Sequence, residues 1–421
     1  MAFRDIRKSR RRISSEEVGL VVLLILIIGG ALALNFYLAQ HFSGGEWLYL
    51  RWQAIRSFLF EKANPYSAQV AEKVQSFVYG RPAVGAEYHY VLNDPFYLVL
   101  LYTPLGIISN FQFARALWMM ISEVAIILSI YFALELADWQ LPRWLYGFLM
   151  VFGLINPLSL GALQSGSVAA VLLCLYLAIL VCLRSHYDEL AGALLFFVAY
   201  QWEVGVLFFA YVIILVFANH RWRVLFGFGM VFVLMMLLSL LIYPGWPLPY
   251  IRGVLSDWYR STQFHFVQAI DIWLPNTDLP IELILGIIGS VVVLLEALGS
   301  VQADFRRILW TAALTLAVMP LIGLAVFPSN FVVLVLALCL LVVLVWERWT
   351  RYRIFALLLI ALLTVLIPLG IYYREMIFNT ELYTRLFLIL PPLLTILALY
   401  WMRWWMFRPA RTWMDQLELR R

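Results

Sequence analysis

Cysteine, histidine and charge are all scarce in this chain. The three cysteines, Cys174, Cys182 and Cys339, each sit inside an apolar run, a placement that implies neither a disulfide framework nor a thiolate metal site. The five histidines, His41, His89, His186, His220 and His265, are scattered without ligand spacing, so no zinc centre is expected. Lys, Arg, Asp and Glu together make up 13% of the 421 residues, against about a quarter in soluble domains. The net charge of +5 sits in short loops and at the two ends rather than in a patch suited to nucleic acid. No G-x-x-x-x-G-K-S/T loop, nucleotide-binding glycine loop, H-E-x-x-H pair or nucleophile elbow occurs, which argues against ATP-driven transport and zinc proteolysis. No internal repeat, low-complexity tract or soluble domain is visible either.

What the chain has in abundance is hydrocarbon. Hydrophobic residues make up 64% of it and the mean hydropathy is +0.88, well above the roughly 45–50% apolar content of soluble proteins. Apolar runs near the roughly twenty residues that cross a bilayer as a helix recur from Val18 to Trp401. Backbone in lipid must satisfy its own hydrogen bonds, so these runs read as helices. The sequence therefore predicts an all-α polytopic membrane protein of about 11–13 transmembrane helices. Residues 1–17 form a basic cytoplasmic N-terminus, 18–401 one transmembrane domain and 402–421 a basic cytoplasmic tail. Arg4, Arg7, Lys8, Arg10, Arg11 and Arg12 precede the first span and hold the N-terminus in the cytoplasm by the positive-inside rule. A cleaved signal peptide, the competing reading, would have a shorter core of about 7–15 residues.

Two external loops are expected, at about 41–112 and 244–280. The first holds an amphipathic stretch in which Leu48, Trp52, Ile55 and Leu59 share one helical face, Gln53 and Ser57 point the other way, and Arg51 and Arg56 flank the apolar side. That is the pattern of a helix lying in the interface plane. The run 95–109 is short and carries Pro104 and Gly106, so it reads as re-entrant or interfacial, with a full span as the rival. The long run 190–218 has Gln201, Trp202 and Glu203 at its centre. A carboxylate at mid-membrane costs about 2.5–3.5 kcal/mol, which favours two short helices meeting at an external turn. Single spans are expected at 113–137, 144–163, 167–183 and 224–243, and five more at 281–300, 308–326, 331–346, 354–373 and 386–401. Arg306, Arg307, Arg348, Arg351 and Arg353 then all fall inside.

On this scheme Glu46, Asp94, Gln164 and Glu203 share the outer face. Glu46, at the outer end of the first helix, is the leading candidate for a base that takes a proton from an acceptor hydroxyl, although acids also flank membrane helices for electrostatic reasons. Asp94, in YHYVLNDPF, would orient the acceptor or a cation, or simply build the Asn-Asp-Pro turn. Arg115 has the fork geometry for a phosphate, or serves as an interfacial anchor. Arg252, Arg260 and His265 of the second loop would complete a phosphate or sugar site, or belong to an aromatic interfacial loop. Glu123 and Glu203 lie in apolar surroundings, where an ionisable group marks either function or pairing between helices.

Several motifs follow one another in order: Glu46 and then Asn64-Pro65-Tyr66; HYVLNDPFYLVLLYTPLGII; Leu163-Gln164-Ser165-Gly166; and PYIRGVLSDWYRSTQFHFVQAIDIWL. Over about 18–275 the chain thereby resembles the GT-C superfamily of membrane glycosyltransferases, and most of all the polyprenyl-phosphate-mannose-dependent mannosyltransferases of glycosyltransferase family 87. It departs from the family in carrying Glu46 where Asp is usual and Trp202-Glu203 where Lys is usual. The resemblance implies a GT-C-like bundle with interfacial helices in the first external loop, in the plasma (inner) membrane with the site outside. The implied reaction moves a sugar, such as mannose, from a polyprenyl-phosphate donor to a glycan or lipid-linked acceptor with inversion. Glu46 would be the base with Asp94 beside it, Arg115, Arg252 and Arg260 would hold the donor phosphate, and Gln164, Glu203 and His265 would be further site residues. No cofactor is firmly implied, and dependence on a divalent metal is left open, as is any protein partner. The alternatives are a non-catalytic membrane subunit on a GT-C scaffold and a lipid or solute transporter working through Glu123 and Glu203.

Overall fold

The computed structural model describes residues 15–85, 87–139, 141–260, 281–322, 327–349, 351–378 and 382–407. Among them all regular structure is helical. In chain order the helices are α1 Ser15–His41, α2 Glu46–Glu61, α3 Ala68–Tyr79, α4 Phe96–Val99, α5 Thr103–Ile107, α6 Phe111–Leu136, α7 Arg143–Ile155, α8 Pro157–Ser165, α9 Ala169–Arg184 and α10 Asp188–Val198. They continue with α11 Trp202–Ala218, α12 Trp222–Ile242, α13 Pro247–Arg260, α14 Ile281–Ser300, α15 Phe305–Val318, α16 Val335–Arg348, α17 Arg353–Ala361, α18 Ile367–Phe378 and α19 Leu382–Phe407. The protein is an all-α, multi-pass membrane protein.

The span count differs in detail from the sequence reading. Five described helical segments are long and apolar enough to cross a bilayer singly, seven if two bent pairs each count as one, and four shorter apolar helices accompany them. The 144–163 run is one of the bent pairs: α7 and α8 meet at 51°. Asn156 caps α8 by accepting from the Leu158 N–H at 3.0 Å, and Pro157 opens it, so the Asn-Pro dipeptide sets the bend. The 190–218 run is broken as expected, α10 ending at Val198 and α11 beginning at Trp202. The 95–109 run is the short, interrupted α4–α5 segment.

Close approach of α10 and α12 depends on two glycines. A β-carbon on Gly192 would lie 1.9 Å from the Val224 carbonyl oxygen, and one on Gly227 would lie 2.1 Å from that of Glu189. Small residues let membrane helices meet backbone to backbone in this way.

The two ends of the bundle are chemically distinct. At one end Arg184 pairs with Asp138 at 2.6 Å, Arg306 donates to the Ala137 carbonyl at 2.8 Å, Arg348 donates to the Trp405 carbonyl at 3.1 Å, and Arg403 pairs with Glu296 at 3.0 Å. These contacts join the C-terminal ends of α6, α9, α14, α16 and α19 to the start of α15. The opposite end gathers the end of α1, the start of α6, the α8–α9 turn and the start of α11, together with the described residues of the 42–110 segment.

That segment corrects the expectation for α2. Gln53 and Ser57, expected to face away from the apolar side, are buried at 7% and 0% exposure, whereas Leu59 is 38% exposed. The helix is enclosed by α3, α5 and α6, so its polar groups bond one another, Gln53 Nε2 donating to Ser57 Oγ at 3.0 Å. Both arginines are engaged within the protein. Arg51 is buried, and Arg56 donates to the Gly106 and Ile108 carbonyls at 3.0 and 3.2 Å, closing the end of α5.

Candidate active site

The chain turns off α1 by 95° before entering α2. Gly44 (φ 124) and Gly45 (φ 87) make the turn in backbone conformations that side chains resist. Space forbids a side chain as well: a β-carbon on Gly44 would stand 2.6 Å from the Gln164 carbonyl oxygen, and one on Gly45 2.9 Å from Arg115 Cδ. The product of the turn is Glu46, the first residue of α2, presented at the edge of the bundle.

Glu46 faces a cavity of about 1030 Å³. Trp47, Tyr88, Tyr90 and Phe327 form one aromatic wall, with Trp47 and Phe327 edge to face at 4.8 Å and Tyr88 and Tyr90 edge to face at 5.0 Å. Burial raises the Glu46 carboxyl from the usual 4.5 to about 7, against the opposing pull of the Glu46 backbone amide, Arg115 and the Gly45 amide. A carboxyl poised there is half ionised near neutrality and can take up or release a proton. The aromatic faces suit the C–H side of a sugar or another flat, partly apolar group.

Arg115 lines the same cavity, but its nitrogens are largely occupied. Nη1 donates to the Ala39 and Phe42 carbonyls at 3.4 and 2.8 Å, and Nη2 to those of Ser43 and Gln164 at 3.2 and 2.8 Å. The side chain thus caps the C-terminus of α1 and ties it to α6 and α8. Gln164 lines the cavity too, its Nε2 donating to the Ser43 carbonyl at 3.2 Å.

Asp94 lies elsewhere, buried at 3% exposure in a fork with Arg51: Nε to Oδ2 is 2.6 Å and Nη2 to Oδ1 is 3.3 Å. Tyr66 Oη donates to its backbone carbonyl at 2.9 Å. This pair and Glu203 line a small polar cavity of about 30 Å³, enough for a water or two. Trp47, Tyr88 and Phe327 line both cavities and form the partition between them. Glu46, Arg115 and Gln164 therefore share one chamber, and Asp94 and Glu203 another.

Of the other sequence candidates, Glu123 accepts a hydrogen bond from Asn35 Nδ2 at 3.0 Å across the α1–α6 contact, the interhelix pairing that its apolar surroundings admit. Arg252 is exposed on α13, beside Gly253, which packs near the Leu92 carbonyl. Arg260 is the last residue of that helix, its side chain lying outside the described residues along with the whole of His265. Two elements escaped the sequence reading. Arg51 was legible only as an interfacial cation, and the aromatic wall gave only scattered tyrosines and tryptophans until the fold assembled them. Among the described residues no three His, Cys, Asp or Glu side chains gather into a metal-ligand group.

Comparison with models of protein families gives no match, and comparison with curated proteins gives none.

Proposed function

We propose that this protein is a membrane glycosyltransferase of GT-C type, transferring a sugar from a polyprenyl-phosphate carrier to a hydroxyl acceptor at the outer face of the membrane. The observation that carries the reading is Glu46: a carboxyl held near 7 on the wall of a large aromatic cavity, where a membrane helix bends into the interface. In this reaction the acceptor oxygen forms a bond to the anomeric carbon as that carbon's bond to the phosphate oxygen breaks. The acceptor proton passes to Glu46 and the bonding pair leaves with the phosphate, inverting the centre. The aromatic wall would seat the acceptor. Arg115, the guanidinium that lines this cavity, holds the turn that aims Glu46 and would also face the departing phosphate, with Arg252 and Arg260 on α13 as the further candidates.

The basic end of the bundle supports a cytoplasmic assignment for that face, and on this reading Glu46 lies on the outer side. A non-catalytic scaffold is the second reading. It draws on the fact that His41 and Arg115 are the only basic side chains lining the Glu46 cavity among the described residues. The deciding experiment is a transfer assay in lipid with a panel of polyprenyl-phosphate sugars, comparing wild type with Glu46→Gln. An enzyme loses its turnover with that change while still binding donor. If correctly folded wild type transfers nothing across the panel, the scaffold reading takes over.

A further inference from the structure

A second large cavity, of about 800 Å³, lies at the basic end of the bundle, remote from Glu46. It forms where the α9–α10, α11–α12 and α14–α15 turns meet. Leu183, Leu215 and the exposed Phe226 give it an apolar wall, and His186, His220 and Arg223 surround its mouth.

Both histidines are conformationally unusual. His186 (φ 59) and His220 (φ 52) occupy the left-handed position just past a helix C-terminus. In each turn the next N–H reaches back into the helix, Tyr187 to the Cys182 carbonyl and Arg221 to the Val216 carbonyl, both at 2.9 Å. Glycine is the ordinary occupant of that position because a β-carbon is strained there. Lys62 and Asp138 take the same conformation past α2 and α6, so what sets the two histidines apart is that both line one cavity.

The charges at the mouth are uneven. Arg221 is neutralised by Asp188, whereas Arg223 is 77% exposed on its side chain, with Glu189 3.8 Å away. Exposed Trp222 lines the same cavity, and such rings concentrate at the level of lipid headgroups. Imidazole and guanidinium N–H groups above an apolar wall match a phosphate above a hydrocarbon chain, and basic pockets between helices on this kind of face take anionic headgroups.

We propose that this cavity binds an anionic phospholipid, with the phosphate among His186, His220 and Arg223 and an acyl chain along Leu183, Leu215 and Phe226. The test is native mass spectrometry of the full chain in detergent, titrated with phosphatidylglycerol or phosphatidylcholine of matched chains. Wild type should retain phosphatidylglycerol preferentially. Arg223→Ala should lower that preference about fivefold, the effect of one basic charge near a headgroup. Arg223→Lys should preserve it, as should Lys73→Ala, which removes a cation from the other end. The double variant His186→Gly/His220→Gly separates binding from folding: it should melt no lower than wild type, because glycine relieves the strain, yet lose the preference. Equal retention of both lipids by wild type, or a glycine variant that is stable and as selective as wild type, would overturn the proposal.

Discussion

Replacing Glu46 by Gln probes the surroundings of that carboxyl without reference to any substrate. Burial raises the group from 4.5 to about 7 in the folded protein, whereas in the unfolded chain it ionises as an ordinary carboxyl. Between those two values the unfolded chain binds fewer protons than the folded one, so stability falls as pH rises through the window and levels off above it. At about 1.4 kcal/mol per pH unit, the full loss comes to roughly 3 kcal/mol. Glutamine keeps the size and has no proton to lose, so the variant lacks this fall. The two proteins should melt together near pH 4.5 and separate progressively to pH 8, the variant melting several degrees higher. Intrinsic-fluorescence melting in one detergent across that range is sufficient, because every other titrating group is common to both and cancels in the difference. A gap that does not change with pH, or a wild type that is the more stable at pH 8, would refute the argument that burial dominates at Glu46.

The same ionisation governs turnover under the proposed mechanism: log kcat/KM should rise with unit slope below pH 7 and flatten above it, as a rate profile in lipid would show. Removing Arg51 by Arg51→Met strands the buried Asp94 carboxylate and should lower stability by about 3–5 kcal/mol; adding Asp94→Leu should recover much of it in chemical denaturation. Gly192→Ala drives a β-carbon into the Val224 carbonyl of α12 and should abolish monodisperse elution on size-exclusion chromatography. Gly147→Ala, with no atom within 4 Å of the added carbon, should elute like wild type.

The legible parts of this molecule were those written locally. Apolar runs of bilayer length announced the long helices, and the polar triplet 201–203 announced the break between α10 and α11. The acid after the first span, Glu46, is among the residues that line the large cavity. What sequence left open depends on partners far along the chain or on atoms without a letter of their own. The polar side of α2 is buried because helices reached many residues later cover it, and Arg51 finds Asp94 43 positions away. The guanidinium of Arg115 is legible as a phosphate ligand or an interfacial anchor, whereas the four carbonyls to which it donates are backbone atoms that any sequence would carry. The partition built from Trp47, Tyr88 and Phe327 joins three distant segments, and no periodicity within any one of them signals it.

The Arg115 clasp turns α1 into a ruler. The helix is 27 residues long, about 40 Å at 1.5 Å per residue, against a hydrocarbon layer of about 30 Å. Because its far end and the glycine turn are fastened to α6 and α8, the height of Glu46 above the bilayer midplane is fixed by the protein, while the height of the headgroups belongs to the lipid. For a reactant carried on a lipid, the match between those two heights is part of the specificity. Under the proposed function, a membrane a few ångströms too thick or too thin would hold such a reactant away from the carboxyl with every contact inside the cavity intact.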